Sequence, residues 1–300
     1  LQAAFSCSHI STFLLAFSLL VESSHFKSVY TEVTFRRERY GKDDSMQRQD
    51  FVQRLWLDHV HEHPDIGALR LWPVETPAEY LALLTVSHPR WAMAPLVSAL
   101  TNMGYTRKQH YAMADRGLLV TLLAAPANEP WLMLAELQLG TLSRTPRRVL
   151  EAQIDAACSP GSMEMLLPGD VRSWPMPDWP TYQELKASHP LAAWLSLRGP
   201  RLHHVGFDCA RLGKPLKELD ELLHQRGMNG QDDRHQGFLP ISSLLDYRYY
   251  NALPRRLAFA DGDEHRVHMG GLALVQKQLA ANQERVAEIL MPHHTRCELG

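Results

Sequence analysis

The segment Arg201-Leu202-His203-His204-Val205-Gly206-Phe207-Asp208 carries the residue types best suited to chemistry. Alternation along a strand puts Leu202, His204, Gly206 and Asp208 on one face, and His203, Val205, Phe207 and Cys209 on the other. The Val205/Phe207 face is apolar enough to lie under a helix. His204 then points inward, beside a glycine that leaves room for a ligand or metal. A neutral imidazole there is a ligand for Fe, Zn, Mn or Ni; the alternative is a histidine hydrogen-bonded within a sheet. His203, on the helix side, reads as a supporting or packing residue.

Such a strand needs neighbours, and the hydrophobic pattern supplies them. Phe51, Val52, Leu55, Trp56 and Val60 recur at helical spacing up to Pro64, and Gly67 to Trp72 reads as a strand. A helix follows over Met93 to Met103, closed by Gly104. Three strands come next, at Tyr105–Met113, Gly117–Leu123 and Trp131–Leu139, the first two joined by Asp115-Arg116-Gly117. Prolines and glycines then break the chain over 158–180, and Thr181 to Leu197 is helical with an interruption near Pro190. The first order now recurs: strand Leu202–Cys209, helix Leu216–Arg226, then strands at Leu244–Tyr250, Arg255–Ala260 and Val267–Gln276, with Asp261-Gly262-Asp263 as the last hairpin turn. Met93, Met103, Met133, Trp131 and Trp194 fall at core spacing.

Two copies of strand–helix–strand–strand–strand predict an α+β fold. Paired modules form one curved mixed sheet around a cavity, with flanking helices. The divisions are 46–157 for the first module with its leading helix, 158–198 for a Pro-rich connection and helix, 199–285 for the second module, and 286–300 for a tail. Residues 1–45 read as a disordered or non-native extension ahead of Met46. Their apolar run Phe13–Val21, nine residues long, is too short to span a bilayer and has no Lys or Arg before it.

Bulk composition narrows the classes. The 300 residues are 45% hydrophobic and 21% charged, which fits a globular chain. A net charge of -2 gives no case for nucleic acid or an anionic membrane. Cys7, Cys158, Cys209 and Cys297 have no CxxC spacing, which predicts a reducing, cytoplasmic setting with neither disulfides nor a thiolate zinc site. Of sixteen histidines, those at His59, His61, His63, His265, His268, His293 and His294 lie in polar stretches and read as solvated.

Several stretches in this order carry a resemblance. They are Asp50–Trp56, Ala68-Leu69-Arg70, Met103-Gly104-Tyr105, Thr181–Leu185, Ala193-Trp194-Leu195, His203-His204 and Phe259-Ala260-Asp261-Gly262. Together they resemble the 2-oxoadipate dioxygenase/decarboxylase family, formerly a domain of unknown function, of the vicinal-oxygen-chelate (glyoxalase-like) superfamily. The resemblance spans roughly residues 47–285. It implies an oxidoreductase of lysine catabolism that takes a 2-oxo dicarboxylic acid and O2 to a 2-hydroxy acid and CO2. It implies Fe(II) held by two histidines and a glutamate, with open positions for the acid and O2.

Matched residue by residue, the resemblance makes His204 a metal ligand and Arg70 the forked grip on a substrate carboxylate. It puts the other histidine at Ile66 and the glutamate at Ala273, neither of which binds metal. Glu136, on the last strand of the first module, is the counterpart of the missing glutamate and completes a His204/Glu136 pair. Its alternative is a carboxylate that satisfies buried polar groups. His63, Glu264, His265 and His268 stand near the missing positions but read as exposed.

Three functions follow. One is a metal-dependent dioxygenase/decarboxylase with Fe(II) and a rearranged ligand set. A second is a catalytically degraded relative that binds a small carboxylate through Arg70 without metal. The third is another glyoxalase-like enzyme built on a different divalent metal. The oligomeric state is left open.

Overall fold

The computed structural model describes residues 48–69, 78–125, 129–157, 175–231 and 245–278. The proposed extension at 1–45, the tail at 286–300, most of the Pro-rich connection and Arg70 lie outside the described residues. Helix α1 (Arg48–Glu62) leads into a one-turn helix α2 (Pro64–Gly67). The first module then runs β1 (Tyr80–Val86), α3 (Met93–Asn102), β2 (Thr106–Met113), β3 (Leu118–Ala124) and β4 (Trp131–Leu137). Helices α4 (Arg144–Ala156), α5 (Trp179–Ser188) and α6 (Pro190–Arg198) connect it to the second module. That module runs β5 (Arg201–Asp208), α7 (Leu216–Gln225), β6 (Gly230–Gln231), β7 (Leu245–Asn251), a separate hairpin of β8 (Arg255–Ala258) and β9 (Glu264–Val267), and β10 (Gly271–Lys277).

The eight-stranded sheet has the order β2-β3-β4-β1-β5-β10-β7-β6. β1 and β5 meet antiparallel at its centre, and each pairs in parallel with the last strand of its own module. The two halves are therefore related strand for strand: β1 with β5, β4 with β10, β3 with β7, β2 with β6. The predicted doubling is present, with two corrections. Gly67–Leu69 ends a helix and does not begin a strand, and the opening strand of the module is Tyr80–Val86. All seven of its residues are buried, so its central place leaves no alternation in sequence to mark it. In the second half, Arg255–Ala258 and Glu264–Val267 pair only with each other, and the third strand of the module's sheet is the two-residue β6.

Helices cover one face of the sheet. Trp56 of α1 meets Phe207 edge-on at 6.1 Å. Asp220 of α7 binds Arg248 and Tyr250, and the N-terminus of α3 reaches Glu136. The pairing registers place Leu81, Val205, Leu272, Leu132 and Glu136 on this covered face. Tyr80, His204, Gly206, Gly271, Ala273, Trp131 and Tyr249 share the opposite, inner face. Large buried residues from the first module (Met133, Val120, Leu122, Tyr111) extend that face. Of the residues read as core, Met93, Trp131, Met133 and Trp194 are buried, whereas Met103 is half-buried.

The second module's inner face also holds a fully buried ion pair, Lys277 Nζ to Asp208 Oδ2 at 2.8 Å, with side chains 3% and 1% exposed. Two charges out of water hold only while both are present. Replacing Lys277 by Met strands the Asp208 carboxylate and is expected to cost about 3–5 kcal/mol in urea denaturation. The double variant Asp208→Leu/Lys277→Met, with neither charge left, should recover most of that loss.

Candidate functional site

The centre of the molecule is a knot of imidazoles and phenols around β5. Pairing of β5 with β1 slips between Leu202 and His204, so His203 is the extra residue of a β-bulge. The bulge overrides simple alternation. His203 does touch the helices through Trp194 of α6, at 4.8 Å between ring centroids. It also turns towards Tyr249, whose ring is 5.9 Å from His203 and 5.4 Å from His204. The two imidazoles therefore meet, Nδ1 to Nδ1 at 2.9 Å. Such a contact requires one neutral ring to donate N–H to the other.

The second nitrogen of His204 is engaged as well: Nε2 lies 3.3 Å from the Tyr80 hydroxyl. Tyr80 is itself hydrogen-bonded to Tyr247, and burial raises its pKa, so the hydroxyl stays protonated. The glycine beside His204 serves this tyrosine. A Cβ built on Gly206 would lie 2.1 Å from Tyr80 Cε1, so the room that glycine leaves is filled by an aromatic ring. Across the pairing the same row runs through Ala273 to Tyr249.

Two further histidines join from α1 and from its junction with α2. His59 is buried and its Nε2 donates to Gly271 O at 3.1 Å. His63 follows one turn later, its ring 4.8 Å from that of His59, with a buried Nδ1 that has no hydrogen-bond partner. These corrections to the solvated reading have a visible cause. Phe51, Leu55, His59 and His63 step by four, so both imidazoles continue the apolar stripe of the helix. Among the other residues read as exposed, His61, Glu264 and His268 are exposed. His265 is half-buried and stacks on Trp179 at 3.6 Å. Tyr80, Tyr247 and Tyr249 were not singled out in the sequence, because uniform burial and an aromatic-rich strand disguise them.

The ligand set implied by the resemblance does not assemble. Ile66 is buried within α2. Ala273 shares the inner face with His204, and its methyl group offers no metal donor. Glu136 is brought to the other face: its Oε2 accepts from the Met93 N–H at 2.6 Å and its Oε1 from Gln138 Nε2 at 2.7 Å. It caps the start of α3, and His204 and Glu136 do not converge. Among the described residues no three His, Cys, Asp or Glu side chains are grouped to hold a metal ion. Since His204 has both nitrogens committed, these residues do not fit a mononuclear Fe(II) centre. Arg70 lies outside the described residues.

Strand order and paired modules define a vicinal-oxygen-chelate, glyoxalase-like fold, and solved structures share it. A candidate hydrolase from Shewanella frigidimarina has a TM-score of 0.65 at 20% identity, over 79% of this chain and 94% of its own. The hydroxyglutarate synthase of Oryza sativa, in complex with 2-oxoadipate, has a TM-score of 0.65 at 16% identity, over 87% and 92%. A candidate glyoxalase-superfamily protein from Ralstonia eutropha has a TM-score of 0.61 at 16% identity, over 76% and 82%. No protein-family model and no curated protein matches the chain. Among the described residues no helix is long and apolar enough to cross a membrane.

Two measurements test this site. Gly206→Ala forces Cβ into the Tyr80 ring and should destabilise by about 3 kcal/mol. In a Tyr80→Ala background the same change should cost under about 1 kcal/mol, since the contact is gone. The buried imidazoles also make stability pH-dependent. Desolvation lowers the pKa of His63 to about 4 and of His203 to about 3, against an ordinary value of 6.5. Between those limits the unfolded chain takes up protons that the folded one refuses. Stability is therefore full above pH 6.5 and falls as pH drops towards 4. His63 alone accounts for on the order of 3 kcal/mol of that loss. Denaturation midpoints measured across this range should flatten in His63→Phe.

Proposed function

We propose that this protein is a divergent relative of the 2-oxoadipate dioxygenase/decarboxylases that binds a small 2-oxo dicarboxylic acid without their Fe(II) chemistry. The observation that carries the second half is the state of His204. Nδ1 is hydrogen-bonded to His203 and Nε2 to Tyr80, and the companion positions are Ile66 and Ala273. A first-row metal needs several deprotonated donors aimed at one point. Here the phenol hydroxyls and neutral imidazoles of the inner face bind one another instead, and the ligand carboxylate is left to Arg70.

The first half rests on the shared fold and on Arg70. The hydroxyglutarate synthase of Oryza sativa, similar over 87% of this chain, was solved with 2-oxoadipate. Arg70 is the carboxylate grip in this reading: a guanidinium is always charged and forks onto two oxygens. The ligand class is thus a dicarboxylate with a 2-oxo group, and an oxygenase role with O2 is the reading that iron would restore.

The experiment is thermal denaturation of the full chain with 2-oxoadipate, with and without chelator. Stabilisation should persist in EDTA and disappear in Arg70→Ala. At a ligand concentration about 100 times Kd it amounts to about 2.7 kcal/mol. Stabilisation that EDTA abolishes would overturn the proposal. So would stoichiometric iron after anaerobic Fe(II) loading with O2 uptake on 2-oxoadipate; those results assign the Fe(II) dioxygenase/decarboxylase instead.

A further inference from the structure

Outside the inner face, three arginines converge on one glutamate. Arg198 ends α6 and Arg201 begins β5, with only Gly199-Pro200 between them. Gly199 adopts φ +68°, which turns the chain sharply enough to bring both guanidiniums to the same side chain. Arg198 Nη2 binds Glu62 Oε2. Arg201 Nη1 lies 3.3 Å from Glu62 Oε1. Arg255, at the start of β8, donates from Nη1 to the Glu62 backbone carbonyl at 2.7 Å.

Two carboxylates, Glu62 and Asp58, face three guanidiniums here. Each guanidinium carries five N–H donors. The Nε atoms of Arg198 and Arg201 are buried with no hydrogen-bond partner, on side chains 10% and 14% exposed. Asp58 adds a second negative field on both, yet Arg255 adds a third positive one, and it is exposed. Burial first, and then the charges of Arg201 and Arg255, lower the pKa of Arg198, and Asp58 opposes them. Glu62 is a quarter exposed, so its carboxylate can swing out to solvent.

We propose that Arg198, Arg201 and Arg255 form an oxyanion site for a small dicarboxylate, which Glu62 occupies as a built-in stand-in. A ligand carboxylate takes the place of the Glu62 oxygens against Arg198 and Arg201. Its second carboxylate faces the exposed Arg255. Glu62 competes intramolecularly at an effective concentration on the millimolar scale, so binding to the unaltered chain is weak until the ligand exceeds it. The site does not depend on the function proposed above, because Arg70 and the inner face take no part in it.

Glutarate, which has no 2-oxo group, is the probe, titrated calorimetrically into the full chain at fixed ionic strength with EDTA present. Glu62→Gln removes the competitor and should tighten glutarate binding about tenfold or more, an effect of about 1.4 kcal/mol. Adding Arg201→Ala should abolish the gain; adding Arg70→Ala should leave it intact. An unchanged affinity in Glu62→Gln overturns the site, and equal tightening for sulfate overturns its assignment to a dicarboxylate. Should Glu62→Gln not fold, Arg255→Ala at the exposed rim decides the matter. It must weaken glutarate binding to the otherwise unaltered chain about fivefold, and no change in affinity refutes the proposal.

Discussion

The antiparallel contact between β1 and β5 governs the structure. It is the only seam at which the two modules' strands pair among the described residues, and the Tyr80 ring lies across it on Gly206. Because a Cβ at 206 would stand 2.1 Å from that ring, the seam closes at this register only with glycine there. The β-bulge at His203 lies three residues before that glycine. It gives the strand the local twist that turns both imidazoles towards Tyr249. The hydrogen bonds among the rings of the inner face begin at these residues: His204 with Tyr80, Tyr80 with Tyr247, His203 with His204.

This arrangement is costly to build from polar groups and is kept by mutual satisfaction. His59, His203 and His204 are all buried, and desolvation lowers the pKa of each. They persist because neutral imidazoles can be donor and acceptor at once, so a chain of them and phenols closes without a net charge. A metal site makes the opposite demand. It requires lone pairs left unpaired by the protein and aimed at a common point. The same histidines cannot meet both demands, and here their nitrogens are hydrogen-bonded to neighbouring rings and backbone.

The doubling was legible because amphipathic helices show their period and turn residues bound the apolar runs. The helix Met93–Asn102, the strands Thr106–Met113 and Trp131–Leu137, and the His203-His204 strand all lie within a residue or two of where the pattern placed them. Tyr80–Val86 went unread: like Trp131–Leu137 it is buried on both faces and has no polar phase. At the site, His204 on the inner face and its closeness to Ala273 were readable from alternation and resemblance. The contact between His203 and His204 was not, since a bulge is set by the partner strand and leaves no mark in local sequence. His59 and His63 could have been found: the step of four from Phe51 through Leu55 was present in the chain, and the polar neighbours His61 and Glu62 obscured it.

Glu136 shows why strand position alone does not assign a ligand. It occupies the last strand of the first module, as the symmetric counterpart of the missing glutamate should. Yet β4 pairs with β1 so that Thr85 faces Glu136, which commits its side chain to the covered face. Ala273, by contrast, pairs with Gly206 and Tyr249 and points inward. The two strands are equivalent in topology while their carboxylate positions are out of phase. A one-residue offset in a period-two structure exchanges a cavity for a helix N-terminus. There a carboxylate is also useful, because the first N–H groups of α3 have no partner within the helix. Glu136 is thus held by its own role in the scaffold, and a glutamate at 273 would meet the row of Gly206, Tyr80 and Tyr249. A longer side chain at 273 would require repacking those rings, so the small residue there and the close packing of the inner face are one structural feature.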